Sequence, residues 1–268
     1  MRTCSKEENA FLQKYLDNGS GKILPGAALV GAGCGSYELI TLKGLSEIRR
    51  AEVIVYDDLI DEHLLEFAPE SCELIYAGKR SGRHSKAQEE INELLVEKAL
   101  EGRYVVRLKG GDPYVFGRGG EEALALKAHG IPVHEVPGVT SGIGLCGMAG
   151  IPVTHRGASR GFHVITGHTA DNLSPEVEKI RWKSYAKLDE TFVFLMGLKS
   201  IDMITGKLMR YGKPEDTAVA VIHGNNSDGT YVKLVGTLSD IAEKVKTADF
   251  PSPAIIVVGE VASLELTD

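Results

Sequence analysis

From Gly26 onward, short apolar runs rich in β-branched residues alternate with stretches of helical periodicity, and no other feature restricts the fold as strongly. The runs predict strands at Ala28–Ala32, Val53–Tyr56, Glu73–Tyr76, Tyr104–Leu108 and Val133–Val136. In the second half they predict Phe162–Thr166, Thr191–Met196, Ala218–Ile222, Tyr231–Val235 and Ala254–Val258. Several are apolar at every position, as strands covered on both faces should be. The capping box Ser85-Lys86-Ala87-Gln88 opens a helix with Ile91, Leu94, Leu95 and Ala99 on one side. Further helices are predicted over Glu121–His129 and Thr237–Lys246. Strands alternating with helices imply an α/β architecture with largely parallel sheets.

The run Pro137-Gly138-Val139-Thr140-Ser141-Gly142 interrupts this pattern. It divides the chain into a polar leader over 1–25, an N-terminal α/β domain over 26–138 and a C-terminal α/β domain over 139–268.

With 43% hydrophobic and 25% charged residues, the chain is too apolar for intrinsic disorder. No apolar run approaches the ~20 residues of a membrane span. The polar N-terminus has no apolar core, so no secretory signal is expected and the cytoplasm is the expected compartment. A net charge of −7 disfavours a nucleic-acid partner. Cys4, Cys34, Cys72 and Cys146 form no C-x-x-C pair, so neither a zinc knuckle nor a dithiol site is expected. His155, His163, His168 and His223 lack metal-ligand spacing and read as surface or hydrogen-bonded core histidines. Trp182 and Tyr185 read as packing residues.

Four segments remain as carriers of chemistry. Gly31-Ala32-Gly33-Cys34-Gly35-Ser36 follows the first strand. Its G-x-G-x-G spacing misses the dinucleotide fingerprint G-x-G-x-x-G, and no P-loop motif is present. What survives is a bare strand-to-helix turn against which a ligand can lie. A second glycine-rich loop, Gly110 to Gly120, follows the strand Tyr104–Leu108 and reads as a wrap around a ligand with polar and apolar parts. Lys79, Arg80, Arg83, His84 and Lys86 form a basic run without an acid, suited to anions, to which Arg118, Arg156, Arg160 and His168 could add. Asp57 and Asp58 end an apolar strand, placed either for catalysis or for capping the following helix.

In this order the segments resemble the tetrapyrrole methylase family. The matching stretches include VGAGCGSYELITLKGL from Val30, VIVYDDLI from Val53, GKRSGRH from Gly78 and VVRLKGGDPYVFGRGGEE from Val105. They continue through VPGVTSGIG from Val136, AGIPVTHRG from Ala149, VITGH from Val164, FVFLMG from Phe192 and VGTL from Val235. The resemblance implies two α/β domains with S-adenosylmethionine held between them, no metal, and a homodimer. It implies C-methylation of uroporphyrinogen III at two pyrrole carbons to give precorrin-2, on the route to siroheme or cobalamin. A later precorrin methyltransferase, or a non-catalytic tetrapyrrole-binding module, is the alternative. By the same resemblance Asp57 is the proton acceptor and Lys79 the proton donor. Cys34, Gly110, Gly111, Asp112, Val115, Thr140, Ser141, Met196 and Asn225 fall on cofactor-contacting positions. Arg80, Arg83, Arg118 and Arg156 suit a polycarboxylate macrocycle. The family usually has proline at Cys34 and Asp-Pro at Ser36-Tyr37, and His223-Gly224-Asn225-Asn226 departs from its late motif.

Overall fold

The computed structural model describes residues 25–78, 88–167, 174–224, 228–264 and 266. The leader before Pro25, Ser85-Lys86-Ala87 of the capping box and the basic run Lys79–Lys86 lie outside the described residues. The chain divides into two compact units, Met1–Thr140 and Ser141–Asp268.

In unit 1 the strands are β1 (Gly26–Gly31), β2 (Val53–Tyr56), β3 (Glu73–Tyr76), β4 (Tyr104–Lys109) and β5 (Val133–Val136). They form one sheet in the order β3-β2-β4-β1-β5, every pair parallel. Among the described residues the α-helices beside them are α1 (Leu42–Arg49), α2 (Gln88–Leu100) and α3 (Gly119–Ala128). Strand side chains alternate between two cores. Ala27, Leu29, Val53, Val55 and Val105 pack with Ile91, Leu95, Ala99 and Leu126 of α2 and α3. Ala28, Val30, Ile54, Val106 and Leu108 pack on the other face with Ile48 of α1 and Leu64. Double coverage explains why β1 and β4 are buried at every position. Since all five strands run the same way, their carboxyl ends lie along one edge of the sheet.

Unit 2 opens with α4 (Ser141–Met148) and contains β6 (Phe162–Thr166), α5 (Pro175–Lys187), β7 (Thr191–Leu195) and α6 (Ile201–Arg210). It continues with β8 (Ala218–His223), β9 (Val232–Thr237), α7 (Ile241–Thr247) and β10 (Ala254–Val258). The sheet order is β6-β7-β10-β8-β9. Only β6 and β7 pair in parallel; β10 runs against both β7 and β8, and β8 against β9. The expectation of largely parallel sheets therefore holds for unit 1 and fails for unit 2. The reason is physical: β10 is buried at every position, and double coverage leaves the same apolar run whichever way a strand points. Phe192, Phe194, Val219, Val221, Ile256 and Val258 share a core with Trp182, Ile204, Leu208, Ile241 and Val245. Trp182 and Tyr185 are packing residues: Trp182 meets Tyr185 edge-on and stacks on Phe194, and Tyr185 lies tilted against Phe192.

Two helix boundaries need correction. Thr237 ends β9 instead of opening a helix; its N–H donates to Asp240 Oδ1 at 2.8 Å, closing a turn before α7. Helix α3 begins at Gly119, because Arg118 in the left-handed region (φ 59°) turns the chain into it and accepts the Glu121 and Glu122 N–H groups.

Candidate active site

At the carboxyl edge of unit 1, three backbones meet closely. A Cβ on Gly138, after β5, would lie 2.1 Å from the Gly111 carbonyl oxygen, and one on Gly31 2.5 Å from Gly138 N. Gly33 and Gly111 exchange backbone hydrogen bonds of 2.7 and 3.2 Å, and Ala32 N–H donates to Lys109 O at 2.8 Å. The tips of β1, β4 and β5 are thus fastened to one another. The bareness read from the sequence is needed first for the protein's own backbone, and only what faces outward is left for a ligand.

Asp112 ties this junction together. Its Oδ1 accepts from Tyr114 N–H at 2.9 Å and its Oδ2 from Gly138 N–H at 3.2 Å. Gly110 lies against Leu59, whose Cβ a side chain there would meet at 2.5 Å. Past Pro113 the loop turns through Phe116 and Arg118, both at positive φ, and leaves Tyr114 and Phe116 exposed with Val115 half-buried. Cys34 is buried beside the same junction, and Ser36 caps the following turn by accepting from Glu38 N–H.

Immediately after β2, Asp57 turns its Oδ1 to Leu59 N–H at 3.1 Å and its Oδ2 to Arg107 Nη2 at 2.9 Å. Capping of the helical turn over 62–67 falls instead to Asp61, which accepts from His63 N–H. Asp58 accepts from the Tyr76 hydroxyl. Behind Asp57 lies a buried charged row that the sequence reading missed. Arg107 Nε and Lys109 Nζ both donate to Glu122 Oε1, at 3.1 and 2.9 Å. The Glu122 side chain is 0% exposed, those of Arg107 and Lys109 4% and 5%, and that of Asp57 22%. Burial, then the Arg107 charge, holds the Lys109 ammonium below the usual lysine range against the pull of Glu122. One signal was available: residues 105, 107 and 109 share a strand face, and Val105 of that face packs toward α2 and α3, the latter carrying Glu122.

In unit 2, β6, β7 and β8 point the same way, so Gly167, Met196 and Gly224 fall at one edge of that sheet. A Cβ on Gly167 would lie 2.3 Å from Gly197 Cα. Met196 is exposed at φ 57°. Ser141 begins α4, which packs on β7, β8 and β10. Arg156 is exposed in the turn closed by His155 and Ser159, and Arg118 forks onto Glu121 at 2.8 and 2.6 Å. His163 stacks on Phe192 and bonds Glu190, and His223 donates to Pro253 O. Lys79, Arg80, Arg83, His168 and Asn225 lie outside the described residues.

Of the residues named from the sequence, Asp57, Cys34, Gly110, Gly111, Asp112, Val115, Arg118 and Thr140 belong to unit 1, and Ser141, Arg156 and Met196 to unit 2. Among the described residues no group of three or more His, Cys, Asp or Glu is arranged to hold a metal ion, and no helix is long and apolar enough to cross a membrane.

The family model for tetrapyrrole (corrin/porphyrin) methylases matches residues 28–242, most of the chain. The chain belongs to this family. Among curated relatives of this methylase is a uroporphyrinogen-III C-methyltransferase of Methanocaldococcus jannaschii, 49% identical over 248 residues, which are 91% of this chain and 98% of the relative. A siroheme synthase of Actinobacillus pleuropneumoniae is 42% identical over 260 residues; the match takes in 97% of this chain but 52% of that longer protein. Among solved structures, a uroporphyrin-III C-methyl transferase of Thermus thermophilus complexed with S-adenyl homocysteine superposes with a TM-score of 0.73 at 38% identity, covering 88% of this chain and 98% of that one.

Proposed function

We propose that this methylase transfers methyl groups from S-adenosylmethionine to two pyrrole carbons of uroporphyrinogen III, releasing S-adenosylhomocysteine and giving precorrin-2. The observation that carries this reading is the 49% identity to the Methanocaldococcus jannaschii uroporphyrinogen-III C-methyltransferase along nearly that protein's whole length. That same likeness favours uroporphyrinogen III over a later precorrin as substrate.

The unit 1 edge suits such a donor: a fixed backbone junction with a carboxylate, Asp112, and a half-buried apolar side chain, Val115, beside it. Gly110, Gly111, Asp112, Val115, Cys34 and Thr140 are our candidates for holding it from unit 1, with Ser141, Met196 and Asn225 from the second half of the chain. When bound, S-adenosylmethionine supplies a methyl group that its sulfonium makes electrophilic. The chain's task is then to hold an electron-rich pyrrole carbon in line, which is mainly a matter of proximity and orientation. As the new carbon–carbon bond forms, the pyrrole ring becomes cationic and must lose a proton. Asp57 is our candidate acceptor, a reading supported by a carboxylate anchored by Arg107 and Leu59 N–H with its side chain partly open at the strand tip. Lys79 serves as proton donor, and Arg80, Arg83, Arg118 and Arg156 bind the substrate carboxylates.

The family resemblance also supports a homodimer, the cytoplasm as compartment, and a product feeding siroheme or cobalamin synthesis. The division of contacts after Thr140 supports an N-terminal domain ending near residue 138. The test is anaerobic incubation with uroporphyrinogen III and S-adenosylmethionine. We expect release of S-adenosylhomocysteine together with a dimethylated product that fluoresces once oxidised. Folded protein that binds the macrocycle yet releases no S-adenosylhomocysteine would overturn the proposal.

A further inference from the structure

Glu122 is a fully buried carboxylate whose contacts are lopsided. Oε1 accepts from three donors: Arg107 Nε at 3.1 Å, Lys109 Nζ at 2.9 Å and Gln88 Nε2 at 3.3 Å. Oε2 receives no hydrogen bond among the described residues. A carboxylate buried only to hold the fold would be expected to satisfy both oxygens. Among the described residues one oxygen gathers all of the donors, so the placement of those donors is what the arrangement secures.

Arg107 is the donor that matters for the chemistry. Its Nη1 is held by Val55 O at 3.2 Å and Leu108 O at 3.0 Å, its Nε by Glu122, and its Nη2 points to Asp57 Oδ2 at 2.9 Å. Because the guanidinium is planar, fixing Nε and Nη1 fixes the direction in which Nη2 donates. We infer that Glu122 is a positioning residue for methyl transfer, setting through Arg107 the orientation of the Asp57 carboxylate. Helix α3 thereby reaches the edge of the sheet by a chain of three side chains. Lys109, held by the same oxygen, keeps the row of two carboxylates and two cations electrically balanced.

The inference rests on the reading of Asp57 as proton acceptor, and the experiment separates the two. Glu122→Gln keeps the shape and one acceptor oxygen but removes the charge. In the full chain we expect its affinity for S-adenosylhomocysteine and its KM for uroporphyrinogen III to stay within about twofold of the parent. We expect its kcat to fall about tenfold, a loss typical of a reacting group held slightly out of place. In an Asp57→Asn background the same substitution should change kcat by less than about twofold, since coupled residues are not additive. Parent-level kcat in Glu122→Gln alone, or equal losses in both backgrounds, overturns the inference and leaves the Asp57 reading standing. Parent-level kcat in Asp57→Asn overturns that reading, and the inference with it. If Glu122→Gln does not fold, Glu122→Asp, with the charge kept and the reach shortened, goes through the same cycle under the same criteria.

Discussion

Arg107 of β4 reaches across to the neighbouring strand and donates to Asp57 at 2.9 Å, so a buried cation meets the most accessible carboxylate of its row at the sheet's carboxyl edge. The pairing fixes the carboxylate we propose as proton acceptor without smothering it. Asp57 keeps a second hydrogen bond to its own loop through Leu59 N–H, and its side chain is still 22% exposed.

Asp57→Asn retains an oxygen for Arg107 and should therefore fold. Its Tm is expected within about 4 °C of the parent, the shift of roughly 1 kcal/mol in a chain of this size. S-adenosylhomocysteine should still bind. Methyl transfer should fall about a hundredfold or more, the usual worth of a positioned proton acceptor. Calorimetry and a turnover assay on one preparation check both halves, and unchanged turnover would falsify the assignment.

Arg118 is exposed and forks onto Glu121, so its loss should leave the core alone. For a polycarboxylate substrate, Arg118→Ala is expected to raise KM about three- to tenfold, the worth of one charge-assisted contact. The kcat should hold, and the salt dependence of KM should weaken. An unaltered KM at low ionic strength would mean that Arg118 serves only the start of α3.

Gly138 has no room for a side chain: the Gly111 oxygen and the Gly31 backbone occupy the place of its Cβ. Gly138→Ala must push the tips of β1, β4 and β5 apart, at an expected cost of about 3 kcal/mol. Urea unfolding would read this as a lower midpoint at unchanged slope. A midpoint equal to the parent's would show that the junction yields freely.

Glu47 accepts from Tyr104 OH at 2.6 Å and bonds His134 at 3.2 Å, with Arg50 at 3.6 Å. Burial alone would raise its carboxyl, but the hydrogen bonds to His134 and Tyr104 and the Arg50 charge outweigh it and hold the group below its ordinary 4.5. A depressed folded-state value adds stability that is fully present above pH 4.5 and lost as the pH falls through that lower value. The stability gap between the parent and Glu47→Gln should therefore narrow as the pH falls below about 4.5. Denaturation midpoints across that range would show it; a gap that widens in acid contradicts the sign.

Much of unit 1 was legible because a strand covered on both faces writes itself as a continuous apolar run. Val53–Tyr56 forms where the sequence predicts it on that ground, and the half-exposed edge strands Glu73–Tyr76 and Val133–Val136 also form where predicted, marked by their β-branched and aromatic residues. Direction leaves no such trace, which is why the antiparallel course of β10 was invisible: Ala254–Val258 would read the same reversed. Arg107 and Lys109 were hidden for a related reason. Charged residues at alternate strand positions resemble a solvent face, and only the tertiary placement of α3 brings Glu122 over them. The glycines were visible as a pattern, but sequence does not distinguish a position bared for a ligand from one bared for a neighbouring strand. The roles of Asp57 and the cofactor loop came from motif resemblance; periodicity alone left Asp57 between catalysis and capping.

The central place of β10 has an outcome for the order in which the molecule can be assembled. The strand latest in sequence is the one that joins β7 to β8, which otherwise have no common neighbour. Until Ala254–Val258 has emerged from the ribosome, the second sheet exists only as two separate ribbons, whereas every strand of the first is already available by Thr140. A nonsense codon between Thr140 and Ala254 thus spares the half that carries Asp57 and leaves the other without its keystone.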